Sequence, residues 1–199
     1  MLNKIINMRM GVGTHEQYLL NDENLELLSI GPHKCWFLGL IELCNYVKNV
    51  ELLAEIGSYQ GESTSLFSKY LNPTIIWCVD PWENGYDKED SASHVFKMSD
   101  VEHNFDERNG SDKTVRKIKR TSKEASEKFP DEFLDMVYID ANHQYESVLE
   151  DIQLWLPKIT SGGFISGHDW EGEPIMRAVI ETVGKPDKIF QDSSWVKKV

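Results

Sequence analysis

Four strings in this chain carry residue types able to bind or move charge. They are Glu55-Ile56-Gly57-Ser58-Tyr59-Gln60-Gly61, Val79-Asp80-Pro81-Trp82, Asp140-Ala141-Asn142-His143 and His168-Asp169-Trp170. In the first, two glycines four apart let the backbone turn tightly and approach a ligand, and a following helix presents free N–H groups. The pattern is G-x-x-x-G after an acid, not the G-x-G-x-x-G that cradles a dinucleotide pyrophosphate, which demotes a nicotinamide-dependent oxidoreductase. An acid at Glu55 attracts a ligand bearing an amino or sulfonium group. Its alternative use is to cap or hydrogen-bond loop amides. S-adenosylmethionine carries both cations, and Glu55, Gly57, Ser58, Tyr59 and Gly61 are its candidate contacts.

Asp80 stands 23 positions beyond Gly57. That is close to the roughly 20-residue spacing of an acid that accepts both ribose hydroxyls. Trp82 and Trp170 each flank a site acid and offer stacking walls for an adenosyl or sugar ring. Thr121-Ser122 follows the third strand at the same end of the sheet, where Ser122 can touch an adenine edge. Asp140 and Asp169 can share a divalent cation, Mg or Mn, through oxygen, and His143 has the chemistry of a general base. Each residue also has an ordinary reading: Asp140 as a helix cap, His143 as a helix-start residue facing water, His168 as a satisfied buried histidine. Their coincidence at strand ends favours the functional reading taken jointly.

The elements that place these strings alternate between helix and strand from residue 33 onward, as a doubly wound α/β sheet requires. Trp36, Leu40, Leu43, Cys44 and Val47 fall at helical spacing, and 50–56 reads as a buried strand ended by Gly57. A helix over 62–71 closes at Asn72-Pro73, and 74–79 is a second strand rich in β-branched residues. Residues 91–109 form a polar helix with Val95, Met98, Val101 and Phe105 as its stripe. Strands follow at 115–119 and 133–139. Tyr145 to Leu156 is a helix stopped by Pro157, and Gly162-Gly163 turns into a strand over 164–167. Pro174 opens a helix that ends at Gly184, and two short strands, 187–190 and 195–199, make a terminal hairpin at the sheet edge. Residues 1–32 are an irregular lead-in able to cover the strand ends as a lid, and 33–199 is the domain.

At 199 residues one domain is the expectation. A formal net charge of -12 repels polyanions, so nucleic acid is not the expected partner, and the basic stretch Lys113 to Arg120 reads as a solvated edge. Cys35, Cys44 and Cys78 lack paired spacing and read as small core hydrophobes. The expected location is cytoplasmic, with no membrane partner. A homo-oligomer is compatible with the sequence.

Together with Tyr138-Ile139-Asp140-Ala141-Asn142-His143-Gln144-Tyr145-Glu146 and Gly162-Gly163-Phe164-Ile165-Ser166-Gly167-His168-Asp169, the four strings resemble the small class I methyltransferases of methyltransferase domain family 24. These are related to metal-dependent sugar O-methyltransferases of the macrocin and mycinamicin type. The resemblance implies a seven-stranded, mostly parallel sheet with its last strand antiparallel. It places Glu55 and Gly57 on the methionine part of S-adenosylmethionine and Asp80 on its ribose. It makes His143 the base and Asp140, His168 and Asp169 the metal-binding positions. His168 departs from the pattern, since related enzymes place a carboxylate there, and imidazole suits Mn²⁺, Fe²⁺ or Zn²⁺ better than Mg²⁺. The implied reaction is O-methylation of a small hydroxylated acceptor such as a sugar or polyol. The competing expectation is a module that binds the nucleoside without transfer.

Overall fold

Buried strands of a doubly wound sheet are apolar on both faces, and the strands of this chain are built that way. A computed structural model describes residues 38–86 and 96–199. The elements run α1 (Leu38–Tyr46), β1 (Leu52–Ile56), α2 (Glu62–Leu71), β2 (Ile75–Asp80), α3 (Met98–Asn109), β3 (Val115–Lys119), α4 (Ser122–Ser126), β4 (Leu134–Ile139), α5 (Tyr145–Trp155), β5 (Ile159–Gly167), α6 (Glu173–Val183), β6 (Lys188–Ile189) and β7 (Trp195–Lys198). A single 3₁₀ turn, Leu156–Lys158, follows α5 at Pro157. The proposed lead-in over 1–32, Trp36 and Cys35 lie outside the described residues, as does Val95.

The seven strands stand in the order β3-β2-β1-β4-β5-β7-β6. Strands β1 to β5 pair in parallel, whereas β7 runs antiparallel to both β5 and β6. Alternate residues of each central strand feed two cores. Leu53, Ile76, Met136 and Tyr138 meet Leu43 of α1, Phe67 of α2 and Phe105 of α3 on one face. Ala54, Ile56, Val137 and Ile139 meet Ala125, Ile152, Trp155 and Val179 from α4, α5 and α6 on the other. Cys44 and Cys78 are buried and free, as expected of small hydrophobes.

One expected boundary is corrected. Gly162-Gly163 does not precede β5 but lies within it, because β5 starts at Ile159 and pairs Leu134 with Ile159 before its register shifts. Gly162, at φ +86, takes the irregularity at no steric cost. No helix among the described residues is long and apolar enough to cross a membrane.

The strand order reverses between β1 and β4, which puts a crevice outside the carboxyl ends of those two strands. The backbone ladder runs on past the strands there: Gly57 N–H donates to Val79 O, Asp140 N–H to Ile56 O and His168 N–H to Ile139 O. All four chemical strings therefore emerge along one edge.

Candidate active site

The loop after β1 is shaped by its two glycines. Gly57 has φ +89, and a Cβ there would lie 2.2 Å from the Asp140 carbonyl oxygen. Contact this close, backbone to backbone, is what brings the β1 loop against the residue that ends β4. Gly61 has φ +77 and opens α2. Tyr59 is also left-handed, at φ 45, and its N–H donates to Asp80 Oδ2 at 3.0 Å. Trp82 N–H donates to Asp80 Oδ1 at 2.7 Å. Asp80 thus draws the loops after β1 and β2 together from the end of its strand while staying half-buried.

Three of the expected ligand contacts, Glu55, Ser58 and Trp82, are buried. Glu55 is 0% exposed and accepts hydrogen bonds from Ser63 Oγ and Thr64 Oγ1 in the first turn of α2. Burial pushes its pKa up to about 7, against the lowering from those hydroxyls. With no surface of its own, Glu55 organises the loop from beneath instead of lining the methionine pocket. Trp82 is 3% exposed, packs on Phe105 with ring centroids 5.0 Å apart, and donates from Nε1 to Tyr59 O at 2.8 Å. It is a strut between loops, not a stacking wall. Ser58 is buried as well. Ser122 is half-buried; its hydroxyl accepts from Trp155 Nε1 at 2.9 Å and hydrogen-bonds the Asp151 carboxyl. It joins α4 to α5.

At the ends of β4 and β5 the carboxylates and imidazoles converge. His143 Nε2 lies 3.2 Å from Asp169 Oδ2 and 3.5 Å from Asp140 Oδ1. Donor atoms of Asp140, His143 and Asp169 all lie within 4.8 Å of one another. Neighbouring ligands of a divalent ion with bonds of about 2.1 Å sit about 3 Å apart, so this donor set fits one. His168 stands behind Asp169, its Nδ1 3.3 Å from Asp169 Oδ2. The structure therefore groups Asp140 and Asp169 with His143 and sets His168 one layer back from its expected place as a ligand.

The charges follow from the geometry. The hydrogen bond to Asp140 raises the His143 pKa against the opposing effect of burial. Burial alone would lower His168, but Asp169, with help from Asp140 and Asp192, pushes it up to about 9. Burial raises and the two imidazoles lower Asp169, and the imidazoles prevail. Asp192 has no counterpart in the sequence reading, which took its segment as a plain turn. Its carboxylate accepts from Leu40 N–H at 2.6 Å and Ser194 N–H at 2.9 Å, so the β6–β7 turn caps α1 beside the site. Trp170 N–H donates to Ser193 O at 3.0 Å, which ties the β5 loop to the same turn.

These shifts set a pH dependence. A group whose pKa rises on folding adds stability below its unfolded value and loses it as the pH climbs through the folded value. The windows run from 4.5 to about 7 for Glu55, from 3.8 to about 6 for Asp151 and from 6.5 to about 9 for His168. All have the same sign, so the metal-free protein is expected to melt at progressively lower temperature from about pH 5 to about pH 9. Scanning calorimetry across that range checks it, and a midpoint that holds level or rises contradicts it.

Residues 54–170, more than half of the chain, match the family described as a methyltransferase domain. Uncharacterized protein y4gI of Sinorhizobium fredii is 22% identical over 176 residues, covering 82% of this chain and 18% of that protein. The chain thus spans less than a fifth of that curated relative. Among solved structures, the O-methyltransferase NovP superposes with a TM-score of 0.55 at 16% identity, over 82% of this chain and 77% of that one. An rRNA methylase from Streptococcus thermophilus gives 0.53 at 9%, over 84% and 96%. SMU.1697c from Streptococcus mutans, solved in complex with SAH, gives 0.50 at 12%, over 80% and 95%. At these identities the structures share the fold.

Proposed function

Because the chain belongs to the methyltransferase domain family that matches its residues 54–170, we propose that it binds S-adenosylmethionine across the ends of β1 and β2 and methylates a hydroxyl of a small acceptor, a sugar or polyol. The observation that carries this reading is the meeting of two sites at one switch point. The Gly57 loop and Asp80 offer a nucleoside site, and the contact of Gly57 with Asp140 sets the Asp140, His143 and Asp169 group directly beside it.

Each residue has a role in the reaction. Asp80 receives the ribose hydroxyls in place of, or alongside, the Tyr59 and Trp82 amides it now binds. Asp140 and Asp169 would hold a divalent cation, which would supply a Lewis acid to lower the pKa of the acceptor hydroxyl. Carboxylate oxygens suit Mg²⁺ or Mn²⁺. His143 Nε2 takes the hydroxyl proton as the oxygen attacks the sulfonium methyl, and the S–CH₃ bond breaks with its electron pair to leave S-adenosylhomocysteine. A base must be neutral, and Asp140 is the first cause of the raised His143 pKa. A cation between the two carboxylates would offset that cause and favour the neutral imidazole.

The charge pattern supports a small acceptor. In the basic stretch Lys113 to Arg120, Lys117 pairs with Glu102 and Asp106, and Lys119 with Glu102, and the formal net charge of -12 opposes a phosphate backbone. Incubation with methyl-labelled S-adenosylmethionine and pooled sugars and polyols, with Mn²⁺ or with chelator, tests the reading. Labelled product that requires the cation is expected. Tight cofactor binding with no labelled product in either arm contradicts it and points to a binding module.

A further inference from the structure

Three consecutive carbonyls of the glycine loop are each held by a side-chain donor from outside the loop. Tyr59 O accepts from Trp82 Nε1 at 2.8 Å, Gln60 O from Arg108 Nη1 at 2.9 Å, and Gly61 O from Asn109 Nδ2 at 3.1 Å. Two of the three donors are adjacent residues at the carboxyl end of α3. Neither belongs to any of the chemical strings, and neither takes part in the mechanism above.

Both donors are fixed in place. Asn109 is 2% exposed, and its Oδ1 accepts from Ser65 Oγ at 2.8 Å, so both halves of its amide are used on the loop and on α2. Arg108 Nη1 also lies 2.6 Å from Glu62 Oε1, with its side chain 9% exposed. Phe105, one turn earlier, packs against Trp82, and a Cβ at Gly61 would lie 2.0 Å from Asn109 Nδ2 and 2.8 Å from the Phe105 ring. At its other end α3 is tied to the β2 loop, where Asn84 Oδ1 accepts from Met98 N–H at 3.0 Å and Asn84 Nδ2 donates to Phe96 O at 3.0 Å. One helix therefore grips both loops that flank the crevice at β1 and β2.

A trans peptide is planar, with its N–H opposite its C=O. Holding the carbonyls of residues 59 to 61 toward α3 and Trp82 turns the peptide that opens α2 the other way, while the Gly61 N–H closes the loop onto Ser58 O at 2.8 Å. We propose that Arg108 and Asn109 are positioning residues for the cofactor: they fix the peptide groups of the glycine loop so that the loop backbone and the start of α2 are held in place against the bound nucleoside. The role deepens the proposed function and rests on its cofactor. Preorganised polar groups bind more tightly than groups that must be ordered on binding, so the clamp acts on cofactor affinity and not on the chemical step.

The test is titration of the full chain with S-adenosylhomocysteine, for wild type, Arg108→Ala, Arg108→Lys and Asn109→Asp. The last variant sets a carboxylate oxygen against the Gly61 carbonyl while keeping the acceptor for Ser65. Arg108→Ala and Asn109→Asp are expected to weaken binding about tenfold or more, and Arg108→Lys to recover most of the loss. Cofactor KM should rise in the same variants while kcat at saturating cofactor stays near wild type. Hydrogen exchange should quicken at residues 57–65 and not in β4 or β5. Should Asn109→Asp fail to fold, the Arg108 pair carries the test alone. Wild-type binding with Arg108→Ala within twofold of it overturns the clamp and leaves the methyltransferase reading standing. A wild type that does not bind S-adenosylhomocysteine overturns the cofactor reading, and the clamp with it.

Discussion

Gly57→Val is expected to abolish cofactor binding and to cost the fold several kcal/mol. A left-handed φ such as +89 costs a non-glycine residue roughly 1–2 kcal/mol before any contact is counted. The contact is the larger cost. The added Cβ would sit 2.2 Å from Asp140 O and 2.7 Å from Ala141 Cα, and both are backbone atoms that cannot rotate away. Relief requires β1 and β4 to part at the switch point, where Asp140 N–H donates to Ile56 O. A domain stable by about 5–15 kcal/mol has little reserve for that. Gly184→Ala is the control: φ is again positive, +78 with ψ -167, but nothing among the described residues lies within 4 Å of its Cβ, so only the dihedral cost of about 1–3 kcal/mol should appear. Urea unfolding of the two variants checks the difference, and equal losses contradict it.

His143→Ala is expected to lower kcat by about 10²–10⁴-fold, the range of a general base. Cofactor affinity should change less than twofold, because His143 faces Asp140 and Asp169 and not the glycine loop. Its side chain is 56% exposed, so removal leaves no cavity and the melting temperature should hardly move. The pH profile separates a base from a mere neighbour. In wild type, kcat should rise through the His143 pKa of the cation-loaded enzyme, and that limb should vanish in the variant. An unchanged kcat, or a profile that keeps its limb, removes His143 from the reaction.

Much of the fold was legible because β-strands buried on both faces are short apolar runs, and Leu52–Ile56, Ile75–Asp80 and Leu134–Ile139 are such runs, each ended by a glycine or an acid. A parallel sheet then places every strand's end on one edge, and that topology let four separated strings be read as one region. What the side chains do there was less legible. The type and position of Glu55 suit a ligand contact, but whether its carboxylate looks out or in depends on Ser63 and Thr64 arriving in the first turn of α2. Trp82 follows a site acid in sequence, yet Phe105 of α3 covers it. Gly162-Gly163 has the composition of a turn, and only pairing with β4 and β7 shows that it lies inside a strand.

Arg108 and Asn109 left no sequence signal at all. Their partners are backbone carbonyls of a loop 48 residues away, and a carbonyl is the same in every residue. Asp192 was hidden for the same reason, since it binds amides of Leu40 and Ser194. Side chains that recognise backbone at long range are what one-dimensional patterns record least.

The account rests on a sulfonium nucleoside held at the ends of β1 and β2 with Asp80 on its ribose. Calorimetric titration of S-adenosylmethionine into wild type and Asp80→Ala, each with and without Mn²⁺, measures this directly. Saturable binding at one site per chain is predicted for wild type, weakened at least tenfold in the variant, which loses the ribose contact along with the anchor for Tyr59 and Trp82 N–H. No saturable heat in wild type, or equal affinity in the two proteins, would contradict it.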